Sequence, residues 1–192
     1  MSSPYMIRVI LFLVLVSLLL SSLTASGSEI AISGPEARVV NGEIVVTAGL
    51  VLDSKSLEDL KNGISKEITF NIDLFRVWNL WPDEFVAGKR LVNTLWCDPI
   101  KKEYIATSFD GATLIEKRFK TFDSMLTWTL VIKDLKLVPL KELQPADYFV
   151  KVTIVSRVRT LPPVISYLLF FVPEKEFKVT KVSAILSIGG DR

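Results

Sequence analysis

DSKSLEDLKNGISKEITFNIDLFRVW, residues 53–78, holds both periodicities that this chain uses. Asp53, Ser54 and Ser56 offer side-chain oxygens to the free N–H groups of a helical first turn. Glu58 and Asp59 follow, where acids favour the positive end of the helix dipole. Leu57, Leu60 and Ile64 repeat at helical spacing and predict one apolar stripe. Asn62-Gly63 predicts the stop, because glycine takes the left-handed conformation of a helix C-terminus. The period then changes to two. Ile68, Phe70, Ile72 and Leu74 alternate with Thr69, Asn71 and Asp73, the pattern of a half-buried strand. At Leu74-Phe75 the apolar residues switch face, with Phe75 and Val77 on the other side. That predicts a bulge near Phe75, or a strand end buried on both faces.

Working outward, the remaining runs read as strands. Residues 37–40 and 43–52 flank Asn41-Gly42, a hairpin signal, and Ile44, Val46, Ala48, Leu50 and Leu52 share a face. Residues 79–88 read as a loop because of Trp81-Pro82-Asp83-Glu84. A strand is expected over 89–97, a turn at Asp98-Pro99, and a return over 102–109. Asp110-Gly111 turns the chain into 112–118. Residues 121–128 read as a short helix, with Thr121 as N-cap and Phe122, Met125 and Leu126 inward. Two short edge strands are expected at 130–132 and 136–138, with a connector over 139–145. Residues 147–159 form a second long strand, and Leu161-Pro162-Pro163 must break it. The run 164–172 is apolar on both faces and reads as a doubly covered strand. Residues 177–188 are the last strand, with a phase change near Thr180-Lys181. Short alternating runs joined by tight turns predict a mainly β chain, an antiparallel β-sandwich of about seven to nine strands with one or two short helices.

The 192 residues, nearly half of them hydrophobic, suit one core without metals or disulfides. We expect a single domain over residues 29–190. Residues 1–27 read as a targeting segment: Arg8 ahead of an apolar block over 9–20, then Ala25-Ser26-Gly27 as a small-residue cleavage site. The rival is an uncleaved anchor, although a spanning helix needs roughly 20 apolar residues and this block is shorter. Either reading places the body of the protein in the periplasm or at the extracytoplasmic face of the membrane. Beyond residue 27, 22 basic residues balance 21 acidic ones, so no electrostatic case for nucleic acid arises. The chain has no histidine, which excludes Ser-His-Asp and Cys-His catalysis and histidine-ligated metals. The single cysteine, Cys97, excludes an intrachain disulfide. A lone glutamine among many Lys and Glu residues points towards a heat-adapted source.

Three stretches carry a resemblance. Residues 60–78 run helix, Asn-Gly-Ile, alternating strand, Arg-Val-Trp. Residues 90–104, RLVNTLWCDPIKKEY, form a basic strand and turn before a tyrosine. The short helix at 121–128 is followed by the strand at 148–158 and Leu161-Pro162. Together, over about residues 37–170, they resemble an uncharacterised bacterial exported family designated domain of unknown function 4390. Many members are similar to a tyrosine-histidine pair where this chain has Trp96, and the missing histidine argues against a family-wide imidazole chemistry. The resemblance implies export and a β-rich fold. It implies no activity, cofactor or catalytic residue.

Trp78, Trp81 and Phe85 are the candidate partner-binding residues, with Trp96 and Tyr104 nearby in sequence. Aromatic loops stack on sugars or bury a partner's apolar groups, although the same residues can plug an open end of the fold. Asp83 and Glu84 could ligate a hard cation but lack the spaced oxygens of a calcium loop. Lys89, Arg90, Lys101, Lys102, Lys151, Arg157 and Arg159 could form one positive face towards anionic lipid, or a solvated surface. Cys97 has no histidine to activate it. We therefore expect no catalytic residues, cofactor or metal, and a binding or scaffolding role in the cell envelope. The partner would be an envelope protein or the membrane. Two rivals are a lipid carrier holding its ligand near residues 164–172 and an enzyme using two carboxylates on envelope polysaccharide.

Overall fold

The structure is a computed structural model that describes residues 29–159 and 175–189. Ten strands and two short helices follow one another: β1 (Ala31–Val40), β2 (Glu43–Val51), α1 (Ser54–Lys61), β3 (Ser65–Arg76), β4 (Glu84–Asp98), β5 (Glu103–Phe109), β6 (Leu114–Phe119), α2 (Phe122–Leu130), β7 (Val131–Pro139), β8 (Ala146–Arg159), β9 (Lys175–Val182) and β10 (Leu186–Ile188). One sheet has the order β1-β2-β7. The other runs β10-β8-β3-β4-β5-β6, with β9 also on β8. Every pairing is antiparallel.

The opening stretch builds the centre. The Asp53 carboxylate accepts the Ser56 N–H at 2.8 Å, which starts α1. Gly63, at φ +90°, ends it and brings the helix against Pro99. The apolar stripe is shorter than expected. Leu60 is fully buried, but Ile64 lies beyond the stop and is exposed, because the helical turn that would align it is never completed. β3 then pairs with β4 on one side and β8 on the other along its length. Ile68, Phe70, Ile72 and Leu74 face inward with Val150, Val152 and Ile154 of β8. Ile44, Val46, Ala48 and Leu50 of β2 close the same cluster from the smaller sheet, as their shared face predicts, and Met125 and Leu130 of α2 join it. Burying a side chain of this size is worth about 1.5–3 kcal/mol.

Lys66 breaks the apolar row. It occupies the inward phase of β3 and is fully buried. Its ammonium pairs with Glu176 and lies 3.6 Å from Asp59 of α1. Ser156 donates to the other oxygen of Glu176 at 2.9 Å.

Several boundaries differ from the sequence reading. β1 begins at Ala31, not at residue 37, and absorbs Pro35 through a register shift on β2. The runs 130–132 and 136–138 are one strand, β7. Pairing with β2 carries it past Asp134, which takes φ 49°. β4 starts at Glu84, so the loop expected over 79–88 is shorter. Met125 is buried in α2, but Phe122 and Leu126 are only partly so, and Thr129 and Leu130 take the inward places. The last strand breaks at residues 183–185 and not at Thr180-Lys181. There the Ser183 hydroxyl accepts the Val150 N–H at 2.9 Å in place of a ladder bond. The run 164–172 and the segment 1–27 lie outside the described residues.

Candidate aromatic docking tip

β3 and β4 end together in a tip. Leu74 pairs with Ala87 but Phe75 with Phe85, so Val86 is the extra residue of a bulge. The break expected near Phe75 is there, with the additional residue on the partner strand. β3 itself alternates regularly against β8, which leaves Phe75 on the outer face and turns Arg76 inward. Phe75 stacks on Phe149 at 5.4 Å between centroids and meets Phe85 edge-on at 5.9 Å. The Lys151 ammonium lies 4.2 Å over the Phe75 ring. Gly88 makes the room: a Cβ there would stand 2.7 Å from Asp73 Oδ1 and 3.1 Å from the Phe85 ring.

Arg76 organises the tip. Its guanidinium meets Glu84 at 2.6 Å, donates to Gln144 Oε1 at 2.6 Å, and sits 4.4 Å from the centre of the Trp78 ring. Residues 76 and 78 share a face because strand side chains alternate, so the arginine falls under the indole. The Trp78 indole N–H donates to Glu84 at 3.2 Å, and its backbone N–H to Asp83 at 3.3 Å. Val77 N–H bonds the Asp147 carbonyl at 2.9 Å, tying the exit of β3 to β8. On this frame Leu80 is 92% exposed, Trp81 75%, Phe85 57% and Trp78 44%. Large apolar side chains clustered in sequence and exposed to water, two of them held by neighbours, are the chemistry of a docking surface.

Trp78, Trp81, Phe85 and also Leu80 are at this tip, although Trp78 sits with inward-turned Arg76 and Phe85 with Phe75 on the opposite, outer face. Trp96 and Tyr104 are not. They lie at the other end of β4, roughly 35 Å along the strand at about 3.3 Å per residue. Trp96 pairs with Ile105, while Tyr104 packs on Phe122 at 6.0 Å. Arg76 and Leu80 are the members that the sequence reading missed. Arg-x-Trp at a strand end was the available signal for the first. Leu80 offered none, since a single leucine in a loop is uninformative.

The other candidates disperse. Asp83 and Glu84 are occupied by Trp78 and Arg76. Among the described residues, no three His, Cys, Asp or Glu side chains form a metal-ligating group. The basic residues do not make one patch. Arg90, Lys151 and Arg157 hold outer-face positions of the larger sheet, whereas Lys89 pairs with inward-facing Ile72. Lys101 and Lys102 sit in the β4–β5 turn, and Arg159 holds the register position opposite Ser65. Cys97 is buried, and burial pushes its thiol up to about 11.

The profile of a family described as a domain of unknown function, DUF4390, matches residues 27–184. The chain belongs to this family. The match spans every strand from β1 to β9, so the tip is part of the DUF4390 body. No curated protein and no solved structure matches the chain.

Proposed function

We propose that this DUF4390 protein is an exported, non-catalytic binding or scaffolding module of the cell envelope, and that its aromatic tip holds the partner. The observation that carries the reading is the tip: Arg76, Glu84 and Asp83 fix Trp78, Phe75 holds Phe85 on the other face, and Leu80 and Trp81 are exposed in the loop that joins them. Pre-ordered rings such as Trp78 and Phe85 lose little side-chain entropy on binding. The apolar segment over residues 9–20 and the absence of histidine support export and a role without imidazole chemistry. Both acids of the loop are committed to neighbours, which favours docking there over polysaccharide hydrolysis.

The position of the tip favours a protein over the bilayer. Leu140 N–H bonds the Gly42 carbonyl at 2.8 Å, and the chain runs on from there to Gln144, which holds Arg76. The β1–β2 turn and the tip therefore share one end. Residues 1–27 join the other end of β1, about 30 Å away for a strand of this length. If residues 1–27 were retained as an anchor, the tip would face away from the membrane.

Proximity crosslinking of the full-length protein in its own cells tests the reading, with wild type compared against Trp81→Ala. Capture of one envelope protein that disappears with the substitution is expected. An unchanged set of captured molecules overturns it.

A further inference from the structure

Four sheet edges exist among the described residues, and three are interrupted. β1 carries Pro35, which has no N–H, and a register shift between Ser33 and Glu36. β7 shifts twice against β2 and takes φ 49° at Asp134. The edge made of β9 and β10 is broken at Ser183, whose hydroxyl replaces a ladder bond. Such breaks are how sheets blunt edges that would otherwise pair with another chain. β6 differs. Its six residues pair with β5 with no register shift, and five of them are exposed. As the last strand of its sheet, β6 leaves its far-side backbone donors and acceptors without a strand partner among the described residues.

We propose that β6 pairs antiparallel with β6 of a second copy, with Lys117 at the two-fold axis, so that the two larger sheets become continuous. The side chains argue for that register. A two-fold axis normal to a sheet preserves its faces, so a residue can meet only itself or one an even number of positions away. With Lys117 on the axis, Glu116 of each copy lies opposite Arg118 of the other on the outer face. Ile115 likewise lies opposite Phe119 on the face that carries α2. The pairing thus brings two opposite-charge and two apolar cross-strand pairs together at once. The two Lys117 ammonium groups are the unfavourable element, and each is drawn aside over its own Trp128 ring, at 5.1 Å. Shifting the axis to Glu116 would instead oppose two carboxylates, and shifting it to Ile115 would leave Leu114 opposite Glu116.

Cysteine crosslinking of the full-length chain in its own cells reads this register. A residue on the axis meets its own copy with Cβ atoms about 5 Å apart, close enough to bridge. Lys117→Cys should give a covalent dimer on mild oxidation. Leu114→Cys, about 20 Å from its own copy along the strands, should not. The native Cys97 is buried with its thiol raised to about 11, so it does not compete. Adding Glu116→Arg to Lys117→Cys turns both charge pairs repulsive and should lower the dimer yield about tenfold. Adding Arg118→Glu as well should restore it. No dimer from Lys117→Cys, equal yields from Lys117→Cys and Leu114→Cys, or no restoration by the double charge reversal overturns the proposal.

Discussion

Lys66 is the side chain on which the most depends. Its ammonium reaches Glu176 and Asp59, so one buried cation joins β3 to α1 and to the start of β9. Removing one partner of a buried ion pair typically costs about 3–5 kcal/mol, because the remaining charges keep their desolvation cost. Glu176 and Asp59 stay about a quarter exposed, so Lys66→Ala is expected at the lower end of that range in urea unfolding. Asp53 acts on a smaller scale. Its carboxyl is held below the usual range by hydrogen bonds from the Ser56 hydroxyl and N–H. The folded group therefore titrates below the unfolded one. Its contribution is complete above the ordinary carboxylate range and fades as pH falls through the folded value. Asp53→Ala should cost about 1 kcal/mol at neutral pH, while Asp53→Asn keeps most of the cap and loses that acid dependence. The two residues also differ in legibility. Asp53 was readable because its partner lies three residues on. Lys66 was not, because Glu176 lies 110 residues away and a lysine in an apolar phase reads as an interruption.

At the scale of elements, the docking role proposed for the tip can be tested separately from stability. Trp81 is largely exposed, so Trp81→Ala should change unfolding free energy by less than about 0.5 kcal/mol while abolishing partner capture. Unchanged capture, or a large loss of stability, contradicts the role assigned to it. The turns were the most legible elements. Asn41-Gly42, Asn62-Gly63 and Asp110-Gly111 all sit where their sequence places them, with positive φ at Asn41 and at each glycine. Turn chemistry is local, and the chain needs no distant partner to satisfy it. Strand extents were less legible, because partners decide them. β1 runs through Pro35 because β2 offers it a ladder, and β7 runs through Asp134 for the same reason. Trp96 could not be separated from the tip by its distance in sequence. Only the full length of β4, Glu84–Asp98, shows that it lies at the other end.

The molecule as a whole rests on one core between two sheets, and Phe70 is fully buried within it. Phe70→Ala should cost about 3–5 kcal/mol in the same urea measurement. Two antiparallel sheets were foreseeable from the alternation and the turns. What alternation does not reveal is strand order, and that order places β8 beside β3. The central pair of the larger sheet therefore joins residues 65–76 to residues 148–159. Contacts so distant in sequence slow folding, since the loop between them must close first. During synthesis, β3 waits for its second neighbour until most of the chain has been made. A chain truncated after residue 145 should leave the β3 amides unprotected in hydrogen exchange, whereas the full chain protects them. A polypeptide that finishes its central sheet this late remains threadable while it is being made, the condition that a narrow translocation pore imposes on its cargo.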